Sequence, residues 1–219
     1  MVYLHSGLSR AEQGFCHVNG WCCSDLRRDV ERMRGVFVSP DYRGDSWLNA
    51  AAEADLASLI VDLKMRFEMP KTVLAGGSMG GTAALVFASH HPDLVDGVIS
   101  VCPASDMVEL YDDLITREEL MLKQVAKTIR EAYKGTPIEQ PQEYAYRSVI
   151  NYVNYLKMPI ALRHGDQDEI LPATHSRRIV DALRLQGTKL RYDEVPDGTH
   201  YSVTADAPWA EYMDWVLGK

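Results

Sequence analysis

The chain has 219 residues, 46% of them hydrophobic and 25% charged, and its 23 lysines and arginines against 31 aspartates and glutamates give a net charge of −8. That length suits one α/β domain with a full core, and the composition is ordinary for a soluble globular protein. The acidic balance leaves no basic stripe to neutralise phosphates, which excludes nucleic acid as the main partner, and no apolar run approaches the roughly 20 residues that span a bilayer.

The chain opens on Met1-Val2-Tyr3-Leu4-His5, which reads directly as a strand with no signal peptide before it. The four cysteines are Cys16, Cys22, Cys23 and Cys102. The adjacent pair does not suit an internal bond, and no CxxC or Cys/His spacing points to zinc. Reduced, buried thiols in a cytoplasmic protein are the expectation.

Strands are predicted near Val2–His5, Gly35–Ser39, Thr72–Gly76, Val95–Cys102, Ile160–His164 and Leu190–Val195. Most are short continuous apolar runs, as in strands covered on both faces. Helices are predicted near Asp25–Arg34, Ala50–Phe67, Met79–His91, Thr174–Leu185 and Pro208–Leu217. In Ala50–Phe67 the apolar positions Ala52, Leu56, Leu59, Ile60 and Leu63 recur at helical spacing. The alternation of strand and helix predicts a mostly parallel sheet with helices on both faces.

More than fifty residues separate the strand ending near Cys102 from the one starting near Ile160, far more than a crossover needs. This insert, at about residues 104–157, carries a charged helical stretch, Thr116–Tyr133, and then a Tyr-rich segment ending at Met158-Pro159. It reads as a helical lid over a site, with extra packing as the plain alternative.

The chemistry is signalled by Thr72-Val73-Leu74-Ala75-Gly76-Gly77-Ser78-Met79-Gly80-Gly81. A serine on a sharp strand-to-helix turn needs neighbours two positions away that are nearly free of side chain. That turn exposes the hydroxyl and aims the following backbone N–H groups at a developing oxyanion. A serine also needs a base, and the base an orienting acid. The acid is sought in His164-Gly165-Asp166-Gln167-Asp168-Glu169, just past a strand end, at the catalytic edge of an open sheet. Asp168 is chosen as lying far enough past the strand to turn back, with Asp166 bracing the turn. His200, in Gly198-Thr199-His200 after the last strand, is the histidine whose loop returns to the serine; His17, His90, His91, His164 and His175 have other places along the chain. Met79 N–H is the first oxyanion donor. The second comes from His5-Ser6-Gly7-Leu8, with Gly7 chosen, Leu8 one residue away and the His5 side chain as the alternative.

With these residues placed, the chain resembles an α/β-hydrolase, and within that superfamily the catalytic domain of the prolyl oligopeptidase family and its esterase relatives. The resemblance rests on Leu4-His5-Ser6-Gly7, Ser39-Pro40-Asp41-Tyr42-Arg43-Gly44, Gly76 to Gly81, Arg147-Ser148 with Met158-Pro159, His164-Gly165-x-x-Asp168-x-x-x-Pro172 and Gly198-Thr199-His200. It implies a triad of Ser78, Asp168 and His200, and a site floor shaped by Tyr42-Arg43-Gly44. Relative to the usual fold the first two strands are absent, which implies a sheet of about six strands and an open edge that suits a homodimer contact. The peptidases' β-propeller has no counterpart in this sequence, and His5-Ser6-Gly7 stands where His-Gly-Gly is usual.

The expected function is hydrolysis of small-molecule carboxylic esters of short acyl groups through an acyl-enzyme, with no metal or organic cofactor. Met107, Leu110, Tyr111, Leu114, Met121 and Leu122 of the insert either wall the acyl pocket or pack as an amphipathic core. The alternative is a serine peptidase acting on short peptides or acyl-amino acids, with insert acids such as Glu109, Glu118 and Glu119 available to an amino terminus. A third reading is a non-catalytic binding protein on a hydrolase fold.

Overall fold

The computed structural model describes residues 1–11 and 24–219. Cys16, His17, Trp21, Cys22 and Cys23 lie outside the described residues, so the sequence reading of those thiols is not taken further. In chain order the elements are β1 (Val2–Leu4), α1 (Ser24–Arg32), α2 (Ala50–Phe67), β2 (Val73–Gly77), α3 (Met79–His90), β3 (Gly97–Val101) and α4 (Met107–Thr116). They continue with α5 (Leu120–Tyr133), α6 (Pro141–Tyr146), β4 (Ile160–Gly165), α7 (Thr174–Leu185), β5 (Leu190–Val195), α8 (His200–Ala205) and α9 (Trp209–Leu217).

The five strands form an open, all-parallel sheet in the order β1-β2-β3-β4-β5, with Leu4 beside Gly76, Gly76 beside Ser100, and Ser100 beside Leu162. Alternation along each strand divides the core in two. Val2, Leu4, Leu74, Val98, Ile160 and Leu162 face the α2, α3, α7 and insert side. Met1, Tyr3, Val73, Ala75, Ile99, Val101 and Ala161 face α1 and α9.

The sixth strand expected at Gly35–Ser39 is reduced to one parallel bridge, Val2 to Val38. Val38 N–H donates to Met1 O at 3.0 Å, and Tyr3 N–H donates to Val38 O at 2.8 Å. The next rung would require an N–H from residue 40, and Pro40 has none, so the ladder stops there. The chain then crosses back over β1 to enter the sheet at β2. The β1/β2 boundary is therefore the place where the winding reverses, and ligands of open α/β sheets bind outside such a boundary.

The insert is helical, as expected, but carries three α-helices, α4, α5 and α6, followed by two short 3-10 turns. Asp106 caps α4, accepting from Val108 N–H and Glu109 N–H. Met107, Leu110, Tyr111, Leu114 and Leu122 are buried in the main core cluster, so these residues serve packing, while Met121 is exposed. The insert is tied to the body by Trp47 Nε1–H donating to Thr128 Oγ1 at 3.0 Å and Tyr133 O–H donating to Trp47 O at 2.9 Å.

A stronger tie starts from a carboxylate inside the α2 stripe. Glu53 is 7% exposed and meets Arg147 Nη1 with one oxygen and His90 Nδ1 (2.8 Å) and His91 Nε2 (3.1 Å) with the other. Arg147 is 2% exposed and also donates from Nε to Glu143 Oε1 at 2.9 Å. Burial opposes ionisation of Glu53, but hydrogen bonds from His90 and Arg147 overcome it and hold the carboxyl down to about 2. The folded pKa is depressed, so this stability is fully present above the ordinary value of 4.5 and is lost as pH falls toward 2. Arg147→Ala strands a buried carboxylate and is expected to cost about 3–5 kcal/mol, read as a lower urea midpoint at pH 7. The same variant should show a shallower loss of stability between pH 4.5 and 2 than the wild type.

Candidate active site

Ser78 joins β2 to α3 with φ 56° and ψ −122°, a conformation that costs a non-glycine residue on the order of 1–3 kcal/mol. Three bonds hold it there. Its N–H donates to Val101 O at 2.8 Å, and its C=O accepts from Thr82 N–H at 2.9 Å and Thr82 Oγ1–H at 3.0 Å. A serine ahead of a helix usually caps it, but this one makes no side-chain cap bond, so its hydroxyl is left for other work. The residue is half-buried and accessible.

The flanking glycines are required by contact. A Cβ on Gly80 would lie 2.0 Å from Leu4 O, and a Cβ on Gly76 would lie 2.5 Å from the Gly80 carbonyl carbon. The first turn of α3 thus sits directly on the exit of β1. Gly7, in the loop leaving β1, has its virtual Cβ 3.8 Å from Met79 Cβ. Leu8 N–H is taken by Asp45 Oδ1 at 2.6 Å, whereas Gly7 N–H and Met79 N–H have no partner among the described residues. Two open backbone donors therefore flank Ser78. His5 is buried, its Nδ1 lies 2.9 Å from Ser6 O, and burial lowers its pKa despite the carboxylates of Asp41 and Asp45. Since Ser6 O can only accept, the Nδ1 of neutral His5 carries the hydrogen and Nε2 has no N–H to offer an oxyanion. Tyr42 packs its ring 4.7 Å from that of His5 and donates to His5 O at 2.9 Å, beneath the β1 exit.

Of the three acids after β4, Asp166 and Glu169 are exposed and Asp168 is buried. Asp168 Oδ1 accepts from Ile170 N–H and Leu171 N–H, both at 2.9 Å. Asp168 Oδ2 lies 2.7 Å from His200 Nδ1 and 3.2 Å from His164 Nε2. Asp168, not Asp166, therefore braces its own turn as well as meeting the histidine. Burial opposes its ionisation, but hydrogen bonds from His164 and His200 hold its carboxyl well below the usual carboxylate range. An ionised carboxylate can only accept, so His200 Nδ1 carries a hydrogen, and in the neutral ring Nε2 is then the basic nitrogen.

The loops bearing these two residues touch backbone to backbone. A Cβ on Gly165 would lie 2.0 Å from Gly198 O, and Gln167 N–H donates to that same oxygen at 3.0 Å. His200 does not sit in an open loop, as its sequence context suggested; it begins α8, capped by Thr199 through a reciprocal pair with Ser202. The box has serine in its fourth place instead of Glu or Gln, which hid the start of the helix. Thr204, one turn on, packs against β2, where a Cβ on Gly77 would lie 2.8 Å from Thr204 Cγ2. The helix carrying His200 is thereby seated on the residue preceding Ser78.

Cys102 is the buried, reduced thiol expected from the sequence, but sequence reasoning missed its place beside Asp168. It is buried, with φ 49°, and its thiol lies near the Asp168 carboxylate; burial first and the Asp168 charge second push its pKa well up. Cys102, His164 and Asp168 are of metal-ligating types and bring their ligand atoms within 4.8 Å of one another. Both nitrogens of His164 and both oxygens of Asp168 already have protein partners, so the trio reads as a hydrogen-bonded shell.

Residues 55–216, a stretch that includes Ser78, Asp168 and His200, match the prolyl oligopeptidase family. The chain belongs to the prolyl oligopeptidase family. It is 27% identical over 109 residues to the uncharacterized peptidase YtmA of Bacillus subtilis (strain 168), covering 50% of this chain and 39% of that protein. It is 27% identical over 138 residues to the mitochondrial palmitoyl-protein thioesterase ABHD10 of Rattus norvegicus, covering 59% of this chain and 44% of that protein. The chain thus spans less than half the length of either curated relative.

Among solved structures, a truncated carbohydrate esterase from gut microbiota superposes with a TM-score of 0.72 at 16% identity, over 99% of this chain and 85% of that one. A puromycin-hydrolyzing peptidase of Mycobacterium tuberculosis gives 0.71 at 18%, over 99% and 34%. An acylaminoacyl peptidase of Pyrococcus horikoshii gives 0.67 at 17%, over 99% and 35%. At these identities the likeness is one of fold, the α/β-hydrolase fold. Among the described residues, no helix is long and apolar enough to cross a membrane.

Because Gly165 and Gly198 have no room between them, Gly165→Ala is expected to push the acid and histidine loops apart. A melting scan should show Tm lowered by roughly 5–10 °C, the scale of an overpacked backbone contact in a chain of this size.

Proposed function

We propose that this protein is a serine carboxylic-ester hydrolase that acts on small acyl esters. The observation that carries the reading is the bond from His200 Nδ1 to buried Asp168 at 2.7 Å, on a helix seated against the residue before Ser78. In this reading Ser78 Oγ attacks the acyl carbon while His200 Nε2 takes its proton. Asp168 orients the ring and stabilises the imidazolium. The carbonyl oxygen gains negative charge and receives hydrogen bonds from Gly7 N–H and Met79 N–H, each such donor being worth about 10²–10³ in rate. The tetrahedral adduct collapses, the C–O bond to the alcohol breaks, and His200 returns the proton to the leaving alkoxide. Water then attacks the acyl-enzyme with His200 as base, the acid leaves, and Ser78 regains its proton. Every proton and electron pair is accounted for within the triad, with no cofactor in the scheme. A cytoplasmic setting belongs to the same reading.

The second reading is a serine peptidase, favoured by membership of the prolyl oligopeptidase family and by the peptidases among its relatives. Ester hydrolysis ranks ahead because two of the insert acids that might hold a peptide's amino terminus are paired elsewhere. Glu109 is bound to Arg178, and Glu119 lies 3.6 Å from Arg117. Thioester hydrolysis, as named for the rat relative, would use the same steps.

The test is turnover of acetate-to-butyrate p-nitrophenyl esters beside aminoacyl-p-nitroanilides. Ester hydrolysis should dominate in the wild type and fall at least about 10³-fold in Ser78→Ala. Anilide cleavage with weak ester turnover would favour the peptidase. No turnover of either would favour a binding protein on this fold.

A further inference from the structure

Asp168 Oδ2 faces two imidazoles. His200 approaches from α8 at 2.7 Å, and His164 approaches from the end of β4 at 3.2 Å. His164 is completely buried, and neither of its nitrogens is free. Nε2 lies 2.7 Å from Leu171 O and Nδ1 lies 2.7 Å from Ser176 Oγ. Ser176, in the first turn of α7, is itself completely buried.

These contacts fix the ring. Leu171 O and the ionised Asp168 carboxylate are both acceptors only, so Nε2 carries a hydrogen; it is given to Leu171 O at 2.7 Å, with Asp168 Oδ2 in charge contact at 3.2 Å. Ser176 holds the opposite corner. Leu171 is used twice, since its N–H donates to Asp168 Oδ1 at 2.9 Å while its C=O receives His164. The acid loop is thus closed onto the ring of His164, and the carboxylate cannot swing without breaking bonds at both oxygens.

We propose that His164, its ring fixed by Ser176, is a positioning residue that aims Asp168 Oδ2 at His200. The inference rests on the serine-hydrolase reading, because it gives His164 a share in keeping the His200 base oriented. A purely architectural histidine would need only the Leu171 and Ser176 bonds; the shared oxygen ties this one to the base.

The test compares two substitutions of similar bulk. His164→Gln keeps a donor near the Nε2 position, and His164→Leu keeps none. His164→Leu should lower kcat on the p-nitrophenyl esters roughly ten- to hundredfold, the scale of losing a hydrogen bond to a charged group, with KM changed less than about twofold. His164→Gln should recover most of that loss. Ser176→Ala should give a smaller loss, also confined to kcat. A second readout is the far-downfield proton resonance of His200 Nδ1–H, which should broaden or move in His164→Leu and persist in His164→Gln.

Equal activity of the Leu and Gln variants, or wild-type kcat in His164→Leu with a lowered Tm, would overturn the proposal and leave His164 as a packing residue. If His164→Leu fails to fold, Ser176→Ala decides, and an unchanged kcat there overturns the proposal. Turnover surviving in Ser78→Ala would defeat the serine reading alone. The resonance would still report whether His164 governs the Asp168–His200 bond.

Discussion

The constraint on which the site depends is the meeting of β1 with the first turn of α3. Leu4 O and Gly80 approach so closely that a methyl group at Gly80 would sit 2.0 Å from the oxygen. This contact sets three things at once. It forces Ser78 into its positive-φ turn and brings Gly7 beside Met79, and the N–H groups of both have no partner among the described residues. The strain at Ser78 persists because its N–H donates to Val101 O and its C=O accepts twice from Thr82, which over-determines it.

The other half of the site is built by a second approach of the same kind. Gly165 against Gly198 joins the loops after β4 and β5, and the seating of Thr204 on Gly77 carries His200 back to β2. Backbone contacts of this sort are stiff, since neither side has a rotamer to yield. Asp168 then acts as the hub. It accepts from two backbone N–H groups and His200, lies 3.2 Å from His164 Nε2, and the thiol of Cys102 adds a further contact. A carboxylate this deep is tolerated because donors surround it.

Much of this was legible in the sequence. Continuous apolar strands and helical periodicity gave the parallel sheet, and Ala50–Phe67 and Thr174–Leu185 were read to the residue. The order serine, acid, histidine along the chain pointed to Ser78, Asp168 and His200, and burial separates Asp168 from its acidic neighbours. What escaped depended on long-range pairing. Gly35–Ser39 reads as a strand, but it keeps a single bridge to β1, and Pro40 denies the next rung. Glu53 looks like a surface acid of an amphipathic helix, yet Arg147, 94 residues on, draws it inside. Cys102 carries no local signal for a role beside Asp168, since that meeting requires β3 and β4 to be adjacent; His164 stands only four residues before Asp168, but its ring is held by Ser176 from α7. Nor does the local sequence show that Asp45, 37 residues away, occupies the Leu8 N–H.

The most direct measurement is a crystal structure of the protein after reaction with a small alkyl fluorophosphonate. The account predicts phosphorus bonded to Ser78 Oγ, with the phosphonyl oxygen about 2.7–3.1 Å from both Gly7 N and Met79 N, and with His200 still bonded to Asp168. An unmodified Ser78, or an adduct whose oxygen turns away from Gly7 and Met79, would contradict it.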